Sequence, residues 1–257
     1  MKNYIDDELL KHLVSITSDI AKGNYYKDIS KLADRKYPDT ITQLAESFGM
    51  MMVRIQAREL RLENILYNTA EAFAEAIDAK SPWTSGHSKR VTQYAISIAK
   101  EINSDEQFIK NTKIAALLHD IGKIGIPEKI LNKRSVLNKK ERRRMQHHSS
   151  IGAKIVEHIE EFTDVVPAIR YHHERFDGSG YPEGLEGESI PLIARILAVA
   201  DGFDCLISDR PYKKKQTKYK AYRTLMREKD KQWDGKIVDL FINVQRRKNR
   251  RRRHHVV

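Results

Sequence analysis

Residues 114–123 read Ile114-Ala115-Ala116-Leu117-Leu118-His119-Asp120-Ile121-Gly122-Lys123. An apolar helical run ends here in a histidine and an aspartate, two side chains that ligate metals, at the end of a buried helix. We expect Gly122 to end the helix in a left-handed turn and to bring Lys123 back beside the His119-Asp120 pair. The stretch predicts a buried polar site built on helix ends.

Further histidines and aspartates lie on apolar helix faces or at helix ends elsewhere in the chain. Together with the first pair they are His87, His119, Asp120, His148, His172, His173 and Asp201. A carboxylate on an oily helix, such as Asp201, is costly to bury unless a cation or a hydrogen-bond network surrounds it. Seven groups are too many for one metal ion and suit two ions that share Asp120 as a bridge.

Length and composition limit the classes of protein that this chain can represent. Its 257 residues suffice for one large domain and a small one. The single cysteine, Cys205, excludes an internal disulfide and suits a reducing compartment. No apolar run reaches the ~20 residues of a membrane span, and the N-terminus lacks a secretory apolar region. We therefore expect a cytoplasmic protein.

The formal net charge of +12 is concentrated in two regions. Residues 246–253 carry seven positive charges, a pattern typical of a solvated, disordered tail that also suits nonspecific contact with nucleic acid or anionic membrane. Residues 212–231 are a second basic region, which could form a rim that attracts a polyanionic substrate.

Hydrophobic periodicity predicts an all-α chain, with no strand and no internal repeat. Residues 1–58 form two amphipathic helices, the first over about 6–21 and the second from about 39. Residues 59–80 continue without a helix breaker and predict a coiled-coil connector, through which the chain would form a homodimer. We place a helical catalytic domain at 81–245 and a basic tail at 246–257.

Several motifs resemble one known family. The stretch 119–123 followed by Gly125-Ile126-Pro127 resembles the HD core, and Gly180-Tyr181-Pro182 resembles the signature of the HD-GYP subfamily. The supporting matches are Gly86-His87-Ser88 with Arg90-Val91, Met145 to Gly152, His172-His173-Glu174-Arg175, Asp177-Gly178-Ser179, Ile190-Pro191-Leu192, Val199-Ala200-Asp201 and Ser208 to Tyr212. The resemblance covers about residues 70–245.

The N-terminal residues resemble a different module. Gly23-Asn24-Tyr25, residues 42–48, Met51 and Arg54-Ile55 are similar to a HAMP unit, which dimerises as a parallel four-helix bundle. A HAMP unit usually follows a membrane helix, and this sequence has none before it. A plain helical hairpin is the alternative.

The HD-GYP resemblance implies an HD-type helical bundle that hydrolyses cyclic di-GMP to linear pGpG through a metal-bridging hydroxide. It implies that His87, His119, Asp120 and Asp201 hold one ion, and that Asp120, His148, His172 and His173 hold the other. Iron or manganese would be the ion. Asp120 and Lys123 would be catalytic, and the substrate contacts would be Lys123, Asp204, Arg210 and Lys213.

Two further expectations follow from the same resemblance. Some members hold a third metal with a glutamate four residues before the first histidine, a position that Trp83 occupies here. We therefore predict two divalent ions per chain and a reaction that stops mostly at the linear dinucleotide. The loop Gly180, Tyr181 and Pro182 would control substrate access and contact a diguanylate cyclase, although a tight turn alone would also require these residues.

The sequence leaves two alternatives open. The substrate could be another cyclic dinucleotide, such as cyclic GMP-AMP, because base selection depends on pocket shape. The domain could instead be a signalling adaptor that responds to nucleotide without turning it over, although the complete ligand set argues against this.

Overall fold

The computed structural model describes residues 7–22, 39–81, 83, 85–209 and 214–254. The chain divides into two compact units, Met1–Tyr67 and Asn68–Val257. Among the described residues there is no strand, only the isolated bridges Asp177–Glu186 and Lys229–Trp233. The prediction of an all-α fold is confirmed.

The helices follow one another with short connections. In chain order they are α1 (Asp7–Ala21), α2 (Asp39–Ala79), α3 (His87–Ile102), α4 (Glu106–Leu118), α5 (Glu128–Leu131), α6 (Lys139–Gln146), α7 (His148–Val156), α8 (Val166–Tyr171), α9 (Leu192–Ile207), α10 (Lys218–Arg227) and α11 (Gly235–His254). Short 3-10 helices span Ile121–Gly125, Glu160–Val165 and Gly187–Ser189.

Three expectations fall on residues outside this description. The Gly23-Asn24-Tyr25 motif of the HAMP resemblance lies in the gap between α1 and α2, so the HAMP-like module stays a prediction. The predicted substrate contacts Arg210 and Lys213 lie in the second long gap.

Two long helices cross the predicted domain boundaries. Helix α2 is continuous through residue 58, where the sequence predicted a change from helical module to connector, and the compact C-terminal unit starts at Asn68. Helix α11 continues to His254, whereas the sequence predicted a disordered tail from residue 246. Arginine and lysine are good helix formers, and no glycine or proline follows Gly235 to stop the helix.

The core of the C-terminal unit is built around α3, α4 and α9. Helix α3 packs against both of the others, and α7 packs against α8 and the 3-10 helix Ile121–Gly125. In α9 the buried residues Ile196, Leu197, Val199 and Ala200 lead directly to Asp201. Helix α9 is buried in the core, and it therefore places the carboxylate of Asp201 inside the core.

The His119-Asp120 turn touches α7 main chain to main chain. A Cβ on Gly122 would lie 1.8 Å from the carbonyl oxygen of His148 and 2.4 Å from the nitrogen of Gly152. Gly122 belongs to the 3-10 helix and is not among the glycines with positive φ. The prediction of a left-handed turn at Gly122 was therefore wrong. Glycine is required because no side chain fits between the two backbones.

We expect Gly122→Ala to lower the free energy of unfolding by about 3 kcal/mol or more, because the new methyl meets backbone that cannot move aside. Gly125→Ala is the matched control. Its Cβ would lie 3.1 Å from Cδ1 of Ile151, a side chain that can adjust, so a loss below about 1 kcal/mol is expected. Urea unfolding of both variants measures the difference, and equal losses would contradict the close-contact argument.

Candidate metal centre

The fold brings all seven predicted ligands together, and six of them lie at helix ends. His87 and His148 are the first residues of α3 and α7, whereas His119 and the pair His172-His173 directly follow α4 and α8. Only Asp201 lies inside a helix. Four of the histidines are at most 2% exposed and Asp120 is 5% exposed. The sequence prediction of a buried cluster thus agrees with the geometry, whereas the neighbouring His147 is exposed.

The ligand atoms form two groups of three. His87, His119 and Asp201 make one group and His148, His172 and His173 make the other, each with its donor atoms within 4.8 Å of one another. We name them the first group and the second group.

Asp120 lies between the two groups and divides its oxygens between them. Its Oδ2 is 3.6 Å from Nε2 of His87 and 3.4 Å from Nε2 of His119. Its Oδ1 is 3.4 Å from Nε2 of His148. One carboxylate is thus available to both groups at once.

Main-chain hydrogen bonds orient the imidazoles. Nδ1 of His119, His148 and His172 each donates to the carbonyl oxygen three residues earlier, at 2.8, 2.8 and 2.7 Å. A neutral imidazole that donates through Nδ1 carries its lone pair on Nε2. The backbone of the helix ends therefore selects the tautomer that a metal ligand needs.

Two buried nitrogens of the cluster lack a hydrogen-bond partner among the described residues. Nε2 of His87 and Nε2 of His119 are fully buried and make no hydrogen bond. A buried polar atom without a partner is rare because it loses its hydration without compensation. A metal ion would accept the lone pair of each of these nitrogens. Asp120 and Asp201 would add oxygen ligands, and divalent first-row metals accept such a mixture of nitrogen and oxygen ligands. The residues therefore fit a metal centre.

The ionisation of most ligands also suits this role. Burial lowers the pKa of His148 and His172, and it lowers the pKa of His173 to about 3, so all three are neutral at pH 7. Burial acts in the opposite direction on Asp120 and Asp201. At Asp120, Lys123 and the neighbouring histidines together outweigh burial. At Asp201, the close contact with His87 and the other histidines do the same, and both pKa values lie well below the usual range.

His87 differs from the other histidines. Burial lowers its pKa, but the carboxylate of Asp201, 3.3 Å from Nε2, and the carboxylate of Asp204, hydrogen-bonded to Nδ1, together outweigh that effect and raise the pKa to about 9. Without metal the ring is protonated at neutral pH. A metal that binds Nε2 must displace this proton, so metal affinity at the first group depends on pH.

Asp204 holds His87 rather than facing an open site. Its Oδ2 accepts from Nδ1 of His87 at 2.8 Å, and Arg90 donates to both carboxylate oxygens at 2.7 and 3.0 Å. Its side chain is 0% exposed. The predicted nucleotide contact does not fit this position, because every oxygen of Asp204 is already used inside the core. The pair Arg90–Asp204 orients the metal ligand instead.

Lys123 lies where the sequence predicted it. Its ammonium makes an ion pair with Oδ2 of Asp120, and its side chain is 14% exposed. A mostly buried cation beside the bridging carboxylate is placed to meet an anionic group that enters the centre.

The Gly180-Tyr181-Pro182 loop packs on the helix end that carries two ligands. A Cβ on Gly180 would lie 2.3 Å from the nitrogen of Arg175, so the loop approaches the main chain closely. Glu174 accepts from the nitrogens of Glu183 and Gly184 at 2.8 and 3.0 Å and holds the loop in place. The ring of Tyr181 then rests 4.9 Å from the ring of His173. The loop delivers an aromatic side chain to the metal centre.

Sequence reasoning assigned no role to Arg90 or Glu174. Arg90 lies three residues after His87 on the same helix, and that spacing is the only sequence signal for their shared partner Asp204. Glu174 follows the His172-His173 pair but acts on residues nine and ten positions later, which no periodicity predicts.

Residues 71–237 match the protein family described as HD domain. The chain is 36% identical over 210 residues to the cyclic di-GMP phosphodiesterase response regulator RpfG of Xanthomonas campestris, covering 81% of this chain and 55% of that protein. It is 35% identical over 191 residues to a cyclic di-GMP phosphodiesterase of Thermotoga maritima, covering 72% and 50%. The chain thus spans about half the length of these curated relatives.

A third relative acts on a different dinucleotide. The 3'3'-cGAMP-specific phosphodiesterase 3 of Vibrio cholerae is 41% identical over 145 residues, which cover 55% of this chain and 31% of that protein. Among solved structures, the V. cholerae phosphodiesterase V-cGAP3 aligns with a TM-score of 0.55 at 20% identity over 70% of this chain and 49% of its own. The HD-GYP protein Bd1817 of Bdellovibrio bacteriovorus aligns with a TM-score of 0.54 at 17% identity over 96% and 75%. These structures share the helical fold.

We expect the metal-free protein to lose stability as the pH falls from about 6.5 toward 3. The unfolded chain takes up protons at His148, His172 and His173 at higher pH than the folded chain does, so unfolding becomes favoured by up to about 1.4 kcal/mol per pH unit for each histidine. The raised pKa of His87 acts elsewhere, because its stabilisation is complete below 6.5 and is lost as the pH rises through about 9.

Urea unfolding across pH 4 to 7 measures this slope. His148→Asn keeps a donor near the Nδ1 position and removes the titrating group, so the slope should become shallower. His147→Asn, at the exposed neighbour, is the control and should leave the slope unchanged. An identical slope in both variants and the unaltered chain would contradict the prediction.

Proposed function

Because the chain belongs to the HD domain family, we propose that it is a metal-dependent phosphodiesterase that hydrolyses a cyclic dinucleotide, with cyclic di-GMP as the first candidate. The HD-GYP motifs of the sequence, the helical fold and the cyclic di-GMP phosphodiesterases among its relatives support this proposal. The chain spans about half the length of those relatives. The activity is therefore a proposal for this chain, argued from its own residues.

One observation carries the proposal. Asp120 presents one oxygen to His87 and His119 and the other to His148. Two separate ligand groups joined by one carboxylate are the arrangement of two-metal phosphodiester hydrolysis. We propose two divalent ions per chain, iron or manganese, because the ligands are mostly imidazoles with two carboxylates.

Two divalent ions held in this way would lower the pKa of a coordinated water toward about 7 and neutralise charge on a phosphodiester. The chain itself contributes orientation and electrostatics. The main-chain acceptors fix Nε2 of three histidines toward the centre. The Lys123 ammonium offers charge to a non-bridging phosphate oxygen as the negative charge grows there. The deep burial of the ligands keeps the local dielectric low, which strengthens both effects.

Tyr181 is placed to contact the nucleotide. Its ring is tilted by 32° against the ring of His173 and is partly exposed. An aromatic face beside a phosphate-binding centre suits stacking with a purine, since every base has a π face. The predicted contact of this loop with a diguanylate cyclase stays a prediction.

Cyclic GMP-AMP is the second candidate substrate. Three 3'3'-cGAMP-specific phosphodiesterases of Vibrio cholerae, at 34–41% identity, are among the relatives. Both dinucleotides carry the same phosphodiester, so the metal centre serves either one. The choice depends on residues around the bases, two of which, Arg210 and Lys213, lie outside the described part of the chain.

We further propose a homodimer through α2. Leu44, Met51, Leu62 and Ile65 are 40%, 40%, 52% and 50% exposed. Leu44, Met51 and Ile65 share one heptad position, and Leu62 lies three residues before Ile65, which is the spacing of a coiled-coil seam. A second copy of the same helix would cover this stripe. None of the described helices is apolar and long enough to cross a membrane; the cytoplasmic location stays a prediction.

The basic end of α11 suits a polyanion. Its last turns include Arg246, Arg247 and Lys248, all exposed, and Arg247 reaches Glu101 at 2.7 Å. We propose that contact with nucleic acid or anionic membrane is secondary to catalysis.

Turnover of cyclic di-GMP tests the main proposal. Protein purified without oxygen and loaded with iron(II) or manganese(II) should release linear pGpG, and Asp120→Ala should lose about 1000-fold or more in rate because both ions lose their shared ligand. His147→Asn is the matched control. Cyclic GMP-AMP is assayed in parallel, and faster turnover of it would favour the second candidate. Full metal occupancy without turnover of either dinucleotide would contradict the proposal and favour an adaptor.

Metal counting tests the role of Trp83. We expect two ions per chain, because a tryptophan offers no ligand atom at the position where some relatives use a glutamate. Trp83→Glu restores a carboxylate there and should raise the count toward three. Mass spectrometry of metal per chain gives both numbers. Three ions in the unaltered chain would refute the two-metal assignment, and mostly GMP as the product would refute the expected stop at the linear dinucleotide.

A further inference from the structure

The N-terminus of α3, where His87 begins the helix, is capped from another helix. Its own N-cap residue is Gly86, at φ 66°, which has no side chain to accept a hydrogen bond. Asp78, near the end of α2, supplies the acceptor instead. Its Oδ2 accepts from the nitrogen of Ser88 at 3.1 Å and its Oδ1 accepts from the hydroxyl of Ser88 at 3.0 Å.

This contact has the chemistry of an N-cap. Ser88 is the second residue of α3, and an N-cap side chain normally accepts from the second or third main-chain nitrogen of the helix. The carboxylate also faces the positive end of the helix dipole, which stabilises it. Asp78 is only 7% exposed, so water competes little for these bonds. The residue beside the capped one, His87, is a ligand of the first group.

Lys80, two residues later, holds the other side of the metal centre. Its ammonium donates to the carbonyl oxygens of Lys123, Ile124 and Ile126 at 3.2, 2.9 and 3.3 Å. These carbonyls lie at the end of the 3-10 helix that follows Asp120. The carbonyl of Lys123 also accepts from the nitrogen of Ile126 at 3.1 Å. A helix end leaves carbonyl groups with spare acceptor capacity, and one ammonium has three donors to meet them.

The end of α2 thus contacts the two segments that carry His87 and Asp120. The distance between these ligands, 3.6 Å from Nε2 to Oδ2, depends on the relative placement of α3 and the 3-10 helix. The first is tied to Asp78 and the second to Lys80, and two residues of one chain segment cannot move far apart.

We propose that Asp78 and Lys80 are positioning residues of the metal centre, which set the geometry of the first group from the end of α2. Neither residue touches the ligand atoms. A shift of the last turns of α2 would break these bonds and weaken metal binding at His87, His119 and Asp201. The proposal rests on the proposed metal centre but not on its substrate.

Titration of metal-free full-length protein with Mn²⁺, followed by calorimetry, tests the proposal without any nucleotide. Asp78→Ala and Lys80→Met should each weaken binding at the first group about tenfold, the effect usual for partners that orient metal ligands. Asp78→Asn retains an acceptor for Ser88 and Lys80→Arg retains donors for the carbonyls, so both should restore the affinity. Glu75→Gln, one turn earlier on α2, and Lys100→Met, exposed on α3, are the matched controls and should bind as the unaltered chain.

A second background separates positioning from a general loss of structure. In His87→Asn the first group already lacks a ligand, so Asp78→Ala should cause no further change in Mn²⁺ binding at the second group. Unchanged affinity in Asp78→Ala alone would overturn the proposal, as would equal weakening in the His87→Asn background. The readout of this test is metal binding and not catalysis. If the chain did not hydrolyse a cyclic dinucleotide, the proposed function would be wrong, but the metal titration would still decide whether Asp78 and Lys80 position the metal centre.

Discussion

The cost of burying seven ionisable side chains in one helical core is the constraint on which the rest of the structure depends. Five imidazoles and two carboxylates occupy the centre of the C-terminal unit. Such groups are tolerated only when each has a defined partner and a defined protonation state. The fold meets this condition by placing six of the seven at helix ends, where free main-chain groups are available, and by opposing Asp120 with Lys123. The arrangement of helices follows from the needs of these side chains as much as from apolar packing.

Main-chain carbonyl groups at helix ends orient most of the imidazole rings. An imidazole that follows or begins a helix can donate its Nδ1 proton to the carbonyl three residues earlier, as His119, His148 and His172 do. His87 lies at the start of α3 behind Gly86 and uses the side chain of Asp204 for the same purpose. This exception places two carboxylates, Asp201 and Asp204, beside the ring, and they raise the pKa of His87 to about 9.

The sequence was sufficient for the fold class and for the seven side chains that come together, but not for the contacts that hold them. Histidines and aspartates beside apolar helical runs are recognisable because helix periodicity is local. The required glycine at position 122 was recognised for the wrong reason, since its neighbour is the backbone of α7 and not its own turn. Asp204 was predicted as a substrate contact from the family resemblance, and nothing in the sequence indicates its bond to Arg90, 114 residues away. The bonds of Asp78 and Lys80 were missed for the same reason. Helix α11 continues through the charge run to His254, since arginine and lysine are good helix formers.

The contact between the 3-10 helix and α7 has a consequence for ion choice. Gly122 and Gly152 let two backbones touch, so the main chains that carry Asp120 and His148 are held close together. Calcium needs six to eight oxygen ligands at about 2.3–2.6 Å, whereas the carboxylates of this nitrogen-rich centre are those of Asp120 and Asp201. Magnesium also prefers oxygen ligands. Calcium or magnesium in a buffer should therefore compete poorly with scarcer ions that prefer imidazole.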